Sequence, residues 1–239
     1  MKSKKIIVLL TVLLLMGGST TAFGLDLTVG GKGIVGHNFF SGKDYKDDLE
    51  DFNAKTEFRF GYSFGAFVVI GITPMIAIQP ELMFSQFGGK FGASAEDFFD
   101  TPGLPGDVSG VFYNSYLEVP VLAKLRFNRF SVFVGPDFLI KLGDGKGGLE
   151  ATNDTVQAGI EAAGEDIQDL ESDALKSFVI NGIFGVGYDH PLGPGALMID
   201  ARYMLGLSSA TDPDSAQMMD REYKENSIKV SVGYGYQLK

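Results

Sequence analysis

The chain has 239 residues, a formal net charge of −10 at pH 7 and no cysteine. It can form no disulfide bond and carry no lipid on a cysteine side chain. Its negative charge repels nucleic acid, so we expect no nucleic-acid partner.

The N-terminus has the pattern of a secretory signal peptide, which we expect to comprise residues 1–24. Three lysines precede an apolar stretch at residues 6–16, and small residues follow it. The stretch is shorter than the roughly 20 residues that a membrane helix needs. We expect cleavage after Ala22 or Gly24, which leaves residues 25–239 as one domain.

Eight segments of the chain alternate large apolar residues with small or polar ones at a period of two. In the clearest, one face carries Phe58, Phe60, Tyr62 and Phe64, and the other carries glycine, serine and arginine. Strand side chains point to opposite faces in turn, so each segment is predicted to be a strand with one apolar face. The segments are residues 25–36, 57–72, 76–87, 113–127, 130–142, 177–189, 196–208 and 227–238.

The apolar faces are expected to point outward into outer-membrane lipid, with the polar faces lining a lumen. A secreted or periplasmic sandwich, or a lipocalin-like barrel, is the alternative, and it would bury the apolar faces in a core. The outward set includes Leu27, Val29, Val35, Phe60, Val68, Ile70, Ile76, Ile78, Val121, Leu125, Val132, Val134, Ile199, Ile228, Val230 and Val232.

The connections between these segments alternate strictly between long and short. The short ones are residues 73–75, 128–129 and 190–195, and the long ones are residues 37–56, 88–112, 143–176 and 209–226. This order is typical of an up-and-down barrel with short periplasmic turns, long extracellular loops and both termini in the periplasm. The predicted fold is therefore all-β: an eight-stranded antiparallel transmembrane β-barrel in the outer membrane of a diderm bacterium.

Charged residues of both signs fall on the predicted lumen faces. The set is Arg59, Glu81, Glu118, Lys124, Arg126, Asp137, Lys141, Asp200, Arg202 and Lys229. Opposite charges in a narrow interior can pair and so offset the cost of desolvation. We expect Arg59, Arg126 or Arg202 to pair with one of the four carboxylates across neighbouring strands.

Four segments resemble a known family. Residues 79–86 (QPELMFSQ) are similar to its QPELLYSQ segment, and residues 116–124 (YLEVPVLAK) to its YLEIPLLLK strand. Residues 133–136 (FVGP) resemble its GPY-containing strand, and residues 199–208 (IDARYMLGLS) its LDARYxxGLSN strand. The family is that of small outer-membrane β-barrels, often labelled porin family proteins. The resemblance implies a single eight-stranded barrel in the outer membrane and no particular activity.

The long connections are rich in acidic residues. Residues 149–173 hold eight carboxylates and no basic residue. Within residues 155–176 the apolar side chains recur at roughly helical spacing, which predicts a surface helix or a partly disordered acidic cap. Such loops favour cations or basic partners over anionic ones.

Three functions remain open at this point. The first is a non-enzymatic envelope protein, monomeric, whose barrel anchors acidic loops for envelope structure or for contact with an extracellular or host ligand. The second is a narrow conduit for small or apolar solutes. The third is a lipid-modifying barrel enzyme, because Ser63 lies in a G-x-S-x-G motif and His37 or His190 could act as a base. We expect no cofactor and no metal, since the two histidines are distant and cysteine is absent.

Overall fold

The computed structural model describes residues 26–51, 53–169, 175–212 and 222–238. The predicted signal peptide and its cleavage site lie outside these residues. Eight long strands dominate the chain: β1 (Asp26–Ser41), β2 (Arg59–Gly71), β3 (Ile76–Ser94), β4 (Asp107–Phe127), β5 (Phe130–Ala151), β6 (Phe178–Leu192), β7 (Gly195–Gly206) and β8 (Lys224–Leu238). Three helices lie between them: α1 (Lys43–Asp51), α2 (Ala95–Phe99) and α3 (Asp154–Ala163).

The eight strands form a closed antiparallel ring. Each pairs with the next along the chain, and β1 pairs with β8 from Leu27↔Leu238 to Ser41↔Lys224. The predicted eight-stranded up-and-down barrel is therefore confirmed. Two additional strands have two residues each: Lys55–Thr56 pairs with β3, and Gln168–Asp169 pairs with β5.

The two ends of the barrel differ in their connections. At one, which we call the turn end, three short turns join β2 to β3, β4 to β5 and β6 to β7, and β1 begins where β8 ends. At the other, the loop end, four longer connections carry the three helices. The predicted alternation is thus present, although the last short turn is only residues 193–194 rather than residues 190–195.

Several strands extend further toward the loop end than predicted. β3, β4 and β5 have 19, 21 and 22 residues, against 13 in β2 and 12 in β7. A strand needs only about 9–11 residues to cross a bilayer, so these three project beyond it. The projecting parts, residues 88–94, 107–112 and 143–151, are rich in glycine and polar residues, and they were therefore predicted to be loops. We call them the projecting sheet.

The predicted facing of the strands is confirmed by the exposure of their side chains. On the outside, Phe60 is 56% exposed, Val134 60% and Val232 53%. The residues at alternating positions point inward. Phe67, Met83 and Leu122 are examples, and all three are buried in the lumen. The outer surface is thus an apolar band around the barrel, whereas a soluble sandwich would have covered it with a second sheet.

Leu27 differs from the rest of the predicted outward set, because it is only 8% exposed. It pairs with Leu238 on one side and Ile70 on the other, and directly opposed residues share a face of the sheet. The facing of β1 is nevertheless as predicted, because Lys32 and Ile34 are buried while Val35 is exposed.

Aromatic side chains lie on the outer surface near the turn end. Phe127, Phe130 and Tyr236 are exposed there, and the ring centroids of Phe130 and Tyr188 are 5.1 Å apart. Aromatic residues are enriched where membrane proteins meet the interface, and in a chain without tryptophan this belt consists of phenylalanine and tyrosine. No helix in the described ranges is long and apolar enough to cross a membrane.

The helix predicted in residues 155–176 is present but shorter. α3 starts after Asn153, whose side chain accepts hydrogen bonds from the backbone amides of Thr155 and Val156. It ends at Gly164, which has a left-handed backbone with φ of 73° and so stops the helix. Beyond Gly164, residues 165–169 and 175–176 are not helical, and residues 170–174 lie outside the described residues.

Candidate functional site

Four charged side chains meet in the middle of the lumen, and we call them the central cluster: Lys32, Glu81, Asp200 and Arg202. Arg202 donates to Asp200 through Nε at 2.8 Å and Nη2 at 2.9 Å, and to Glu81 Oε2 through Nη1 at 3.1 Å. Lys32 Nζ lies 2.6 Å from Glu81 Oε1 and 3.5 Å from Asp200 Oδ2. Two cations and two carboxylates therefore balance one another.

The central cluster is closed off from solvent. The side chains of Arg202 and Glu81 are 1% and 0% exposed. Two aromatic rings pack against its cations, with Lys32 Nζ 5.2 Å from the centre of Phe67 and the Arg202 guanidinium 5.4 Å from that of Phe133. Charges removed from water in this way are tolerated only when they are paired and hydrogen-bonded, as these are.

The pairs of the central cluster span the lumen. Glu81 belongs to β3 and Arg202 to β7, which are not neighbours in the ring. The sequence prediction placed such pairs between neighbouring strands. An eight-stranded barrel has an interior just wide enough for side chains to fill, so long side chains from opposite walls meet at its centre.

A second set of polar contacts surrounds Glu118. Ser63 and Ser85 donate hydrogen bonds to its carboxylate, the former at 3.3 Å, and Lys229 Nζ lies 4.0 Å away. Lys229 Nζ is also 3.7 Å from the centre of the Phe87 ring. All five residues are buried, so this set fills the lumen beside the central cluster.

Asp137 differs from the other lumen carboxylates. It is fully buried, and neither of its oxygens accepts a hydrogen bond from a residue that the structure describes. It lies opposite Pro120, which has no amide hydrogen to donate. Internal water is the usual partner of such a group.

The remaining predicted lumen residues lie toward the ends of the barrel. Lys124 Nζ is 3.9 Å from Asp189, and Arg126 is 3.5 Å from Asp26 at the turn end. At the loop end, the Arg59 guanidinium stacks 4.3 Å from the centre of the Tyr113 ring. Lys141 is partly exposed on β5. Among the described residues, no ion pair joins Arg59 or Arg126 to a carboxylate predicted for it.

Lys32 was absent from the predicted lumen set although it is central to the observed one. It lies between two glycines, which obscured the alternation of β1. Ile34, two residues further along the strand, is buried, while Val35 is exposed. Because residues two apart share a face of a strand, Lys32 also points inward. The sequence feature that could have placed Lys32 in the lumen is the alternation of inward and outward residues, continued through Gly31 and Gly33.

The G-x-S-x-G motif does not form a nucleophile site of the predicted kind. Ser63 lies inside β2, 2% exposed, and not at a sharp turn between a strand and a helix. His37 stacks on Phe58 near the loop end, with ring centroids 4.9 Å apart, and His190 belongs to β6 near the turn end. Within the described ranges neither histidine contacts Ser63, and no three potential ligands are grouped around a metal position.

The family model for the outer membrane protein beta-barrel domain matches residues 23–212. The chain belongs to this family. It is therefore an outer membrane β-barrel protein, and β8 closes the barrel beyond the matched range. No curated protein matches the chain by sequence.

Solved outer membrane proteins are similar to this family member at low identity. Ail of Yersinia pestis, in complex with the heparin analogue sucrose octasulfate, is 12% identical, with a TM-score of 0.36 over 89% of this chain and 99% of Ail. Neisserial surface protein A is 8% identical, with a TM-score of 0.38 over 89% and 97%. OprG of Pseudomonas aeruginosa is 10% identical, with a TM-score of 0.37 over 89% and 95%.

The loop end of this outer membrane barrel carries an acidic surface. Residues 95–110 and 149–169, which contain α2 and α3, include ten carboxylates and no lysine, arginine or histidine. Lys90 on the projecting sheet lies 3.2 Å from Glu57 and 3.7 Å from Glu150. Hydrogen bonds from Ser94 and Asn53 hold the pKa of Asp97 below its usual value. The surface is therefore strongly negative at neutral pH.

The loops at this end are held by specific contacts. The backbone amide of Glu222 donates to Asp44 at 2.8 Å, and the Tyr223 hydroxyl donates to Asp48. The Tyr45 ring packs against Tyr223 with centroids 5.5 Å apart. α1 is thereby fastened to the segment that precedes β8, so its residues Asp44 and Asp48 have defined positions.

Proposed function

We propose that this protein is a non-enzymatic, monomeric envelope protein whose barrel anchors an acidic loop end outside the cell, where it binds basic ligands. In this orientation both termini and the short turns lie in the periplasm. The observation that carries the proposal is the acidic surface formed by α2, α3 and the projecting sheet, whose two helical segments contain no basic residue.

The filled lumen supports an anchoring role over a conduit. The side chains of Glu81, Arg202 and Lys32 are almost completely buried, with exposures of 0%, 1% and 3%. Apolar side chains such as Leu122 and Leu139 occupy further space inside the barrel. A solute passing through would have to break the buried ion pairs, which is costly.

A conduit for apolar solutes through the wall is a second candidate, and the strand prolines favour it. The pairing of β3 with β4 is interrupted after Pro80↔Val121 and resumes at Met83↔Glu118. The pairing of β4 with β5 is likewise interrupted after Pro120↔Asp137. Proline lacks the amide that a sheet hydrogen bond needs, so this region of the wall is held less tightly.

Binding to a basic polymer tests the leading proposal. Cells that display the native chain are expected to bind fluorescent oligolysine at low salt. Replacing Glu96, Glu161 and Glu165 by glutamine should reduce that binding several-fold, because it removes three exposed charges from the acidic surface. The difference should vanish near 1 M salt, where the Debye length is about 3 Å.

Folding must be unchanged for this comparison to count. A gel of unheated and boiled samples should show equal amounts of folded barrel for both chains. A larger deletion is less suitable, because Glu150 and Ala151 belong to β5 and residues 168–169 pair with it, although residues 143–176 were predicted to be a loop. Equal binding by both chains at low and high salt would contradict the proposal.

A further inference from the structure

An apolar groove of about 590 Å³ lies at the loop end, outside the lumen. Its floor is formed by Val156 and Ile160 of α3 together with Leu149 of the projecting sheet, and its opposite wall by Phe98 and Phe99 of α2 with Leu104. Val156 and Ile160 are 6% and 4% exposed, whereas Phe99 remains 41% exposed. The groove is thus a depression with a buried apolar floor and a partly exposed apolar wall. Its volume lies in the range of sites that bind small ligands.

The groove is part of a small core of its own. Ala95, Val108, Val156 and Ile160 form a buried cluster separate from that of the lumen. α2 contributes Ala95 to it and α3 contributes Val156 and Ile160, and Asn153 and Gly164 fix the two ends of α3. The groove therefore belongs to an ordered subdomain on top of the projecting sheet.

The charges around the groove select its occupant. Glu165 lines it directly, and Glu96, Asp97, Asp100 and Glu161 lie on the two helical segments that form its walls. These segments carry no basic residue that could neutralise them. An occupant with an apolar part and a net negative charge, such as an anionic phospholipid, would be repelled, whereas an occupant with adjacent cations would be attracted.

We propose that this groove is the binding site for a basic peptide segment, which inserts a phenylalanine or leucine between α2 and α3 and places flanking lysines or arginines against the acidic rim. This inference rests on the proposed function and names its site and ligand class. Apolar insertion supplies affinity and the rim charges supply orientation, as in interfaces where an anchor side chain is surrounded by polar contacts.

Gly159 offers a specific way to block the groove. It lines the groove within α3, and a Cβ built on it would meet no atom within 4 Å. The backbone therefore has room for a side chain here, and we expect the ring of a tryptophan at this position to occupy the groove. Ala158 is its matched control, because it lies on the opposite, exposed face of the same helix and is not part of the lining.

The experiment measures binding of two labelled hexapeptides to the full chain in zwitterionic nanodiscs, with empty nanodiscs subtracted. One peptide has four lysines around a central Phe-Leu pair, and the other has serines in place of that pair. The native chain should bind the Phe-Leu peptide at least tenfold more tightly than the serine peptide, since an inserted apolar side chain is removed from water. Gly159→Trp should abolish that difference, and Ala158→Trp should preserve it.

Each outcome decides between the groove and the broader proposal. If both peptides bind equally to the native chain with a salt-dependent affinity, and Gly159→Trp has no effect, the groove is not the site while the acidic surface still binds basic ligands. If neither peptide binds at low salt, the groove and the proposed function both fail. Loss of Phe-Leu binding in Ala158→Trp as well as in Gly159→Trp would also overturn the groove as the site.

Discussion

Replacing Arg202 by methionine is expected to destabilise the folded barrel by about 3–5 kcal/mol. Arg202 donates to both Asp200 and Glu81, with hydrogen bonds of 2.8–3.1 Å to their carboxylates. After its removal, two buried carboxylates would share the single charge of Lys32 in a space closed to solvent. Urea unfolding in lipid vesicles, followed by circular dichroism because the chain has no tryptophan, measures the change.

Arg126→Met is the matched control for this substitution. Arg126 also pairs with an aspartate, at 3.5 Å, but its side chain is 20% exposed and that of Asp26 is 44% exposed. An ion pair in such a hydrated position contributes about 1 kcal/mol or less. Equal effects of the two substitutions would mean that the central cluster is hydrated, and a water-filled lumen would then favour a conduit.

Placing arginine at Val134 is expected to cost about 2–4 kcal/mol, the penalty for a cation on the lipid face near the middle of a membrane barrel. Val134 is 60% exposed and lies four residues into β5 from the turn end. Four residues of a tilted strand rise about 10 Å along the membrane normal, which places the side chain near the midplane of an apolar band about 25 Å tall. The same unfolding measurement in vesicles tests this.

Ala158→Arg separates exposure to lipid from exposure to water. Ala158 is exposed too, but on α3 above the projecting sheet, and a charge on a water-exposed helix should change stability by no more than about 0.5 kcal/mol. If Val134→Arg were equally harmless, the outer face of the barrel would be in contact with water, and the membrane assignment of that face would be wrong.

The strand pattern predicted the barrel because lipid imposes a simple rule on every segment that crosses it. Segments such as residues 57–72 must alternate apolar and polar residues, and the turns at residues 73–75 and 128–129 must be short, so both were found from the sequence. The projecting sheet was missed because it extends beyond the bilayer, where lipid no longer imposes an apolar face, so residues 88–94 and 143–151 alternate only weakly.

The candidate site was predictable in composition but not in geometry. Alternation identified Glu81, Asp200 and Arg202 as lumen residues, yet it contains no information on which strands face one another across the ring. The contact between β3 and β7 depends on closure of the barrel, which joins residues far apart in sequence. The groove between α2 and α3 was missed for a similar reason, since its lining combines two loops whose separation along the chain exceeds 40 residues.

Labelling of single cysteines on intact cells tests the display of the acidic loop end most directly. The chain has no cysteine of its own, so Ala158→Cys at the loop end and Arg129→Cys at the turn end each give one reactive thiol at an exposed position. A membrane-impermeant maleimide should label Ala158→Cys on intact cells, and should label Arg129→Cys only after the outer membrane is permeabilised. Labelling of Arg129→Cys but not Ala158→Cys on intact cells would contradict the account.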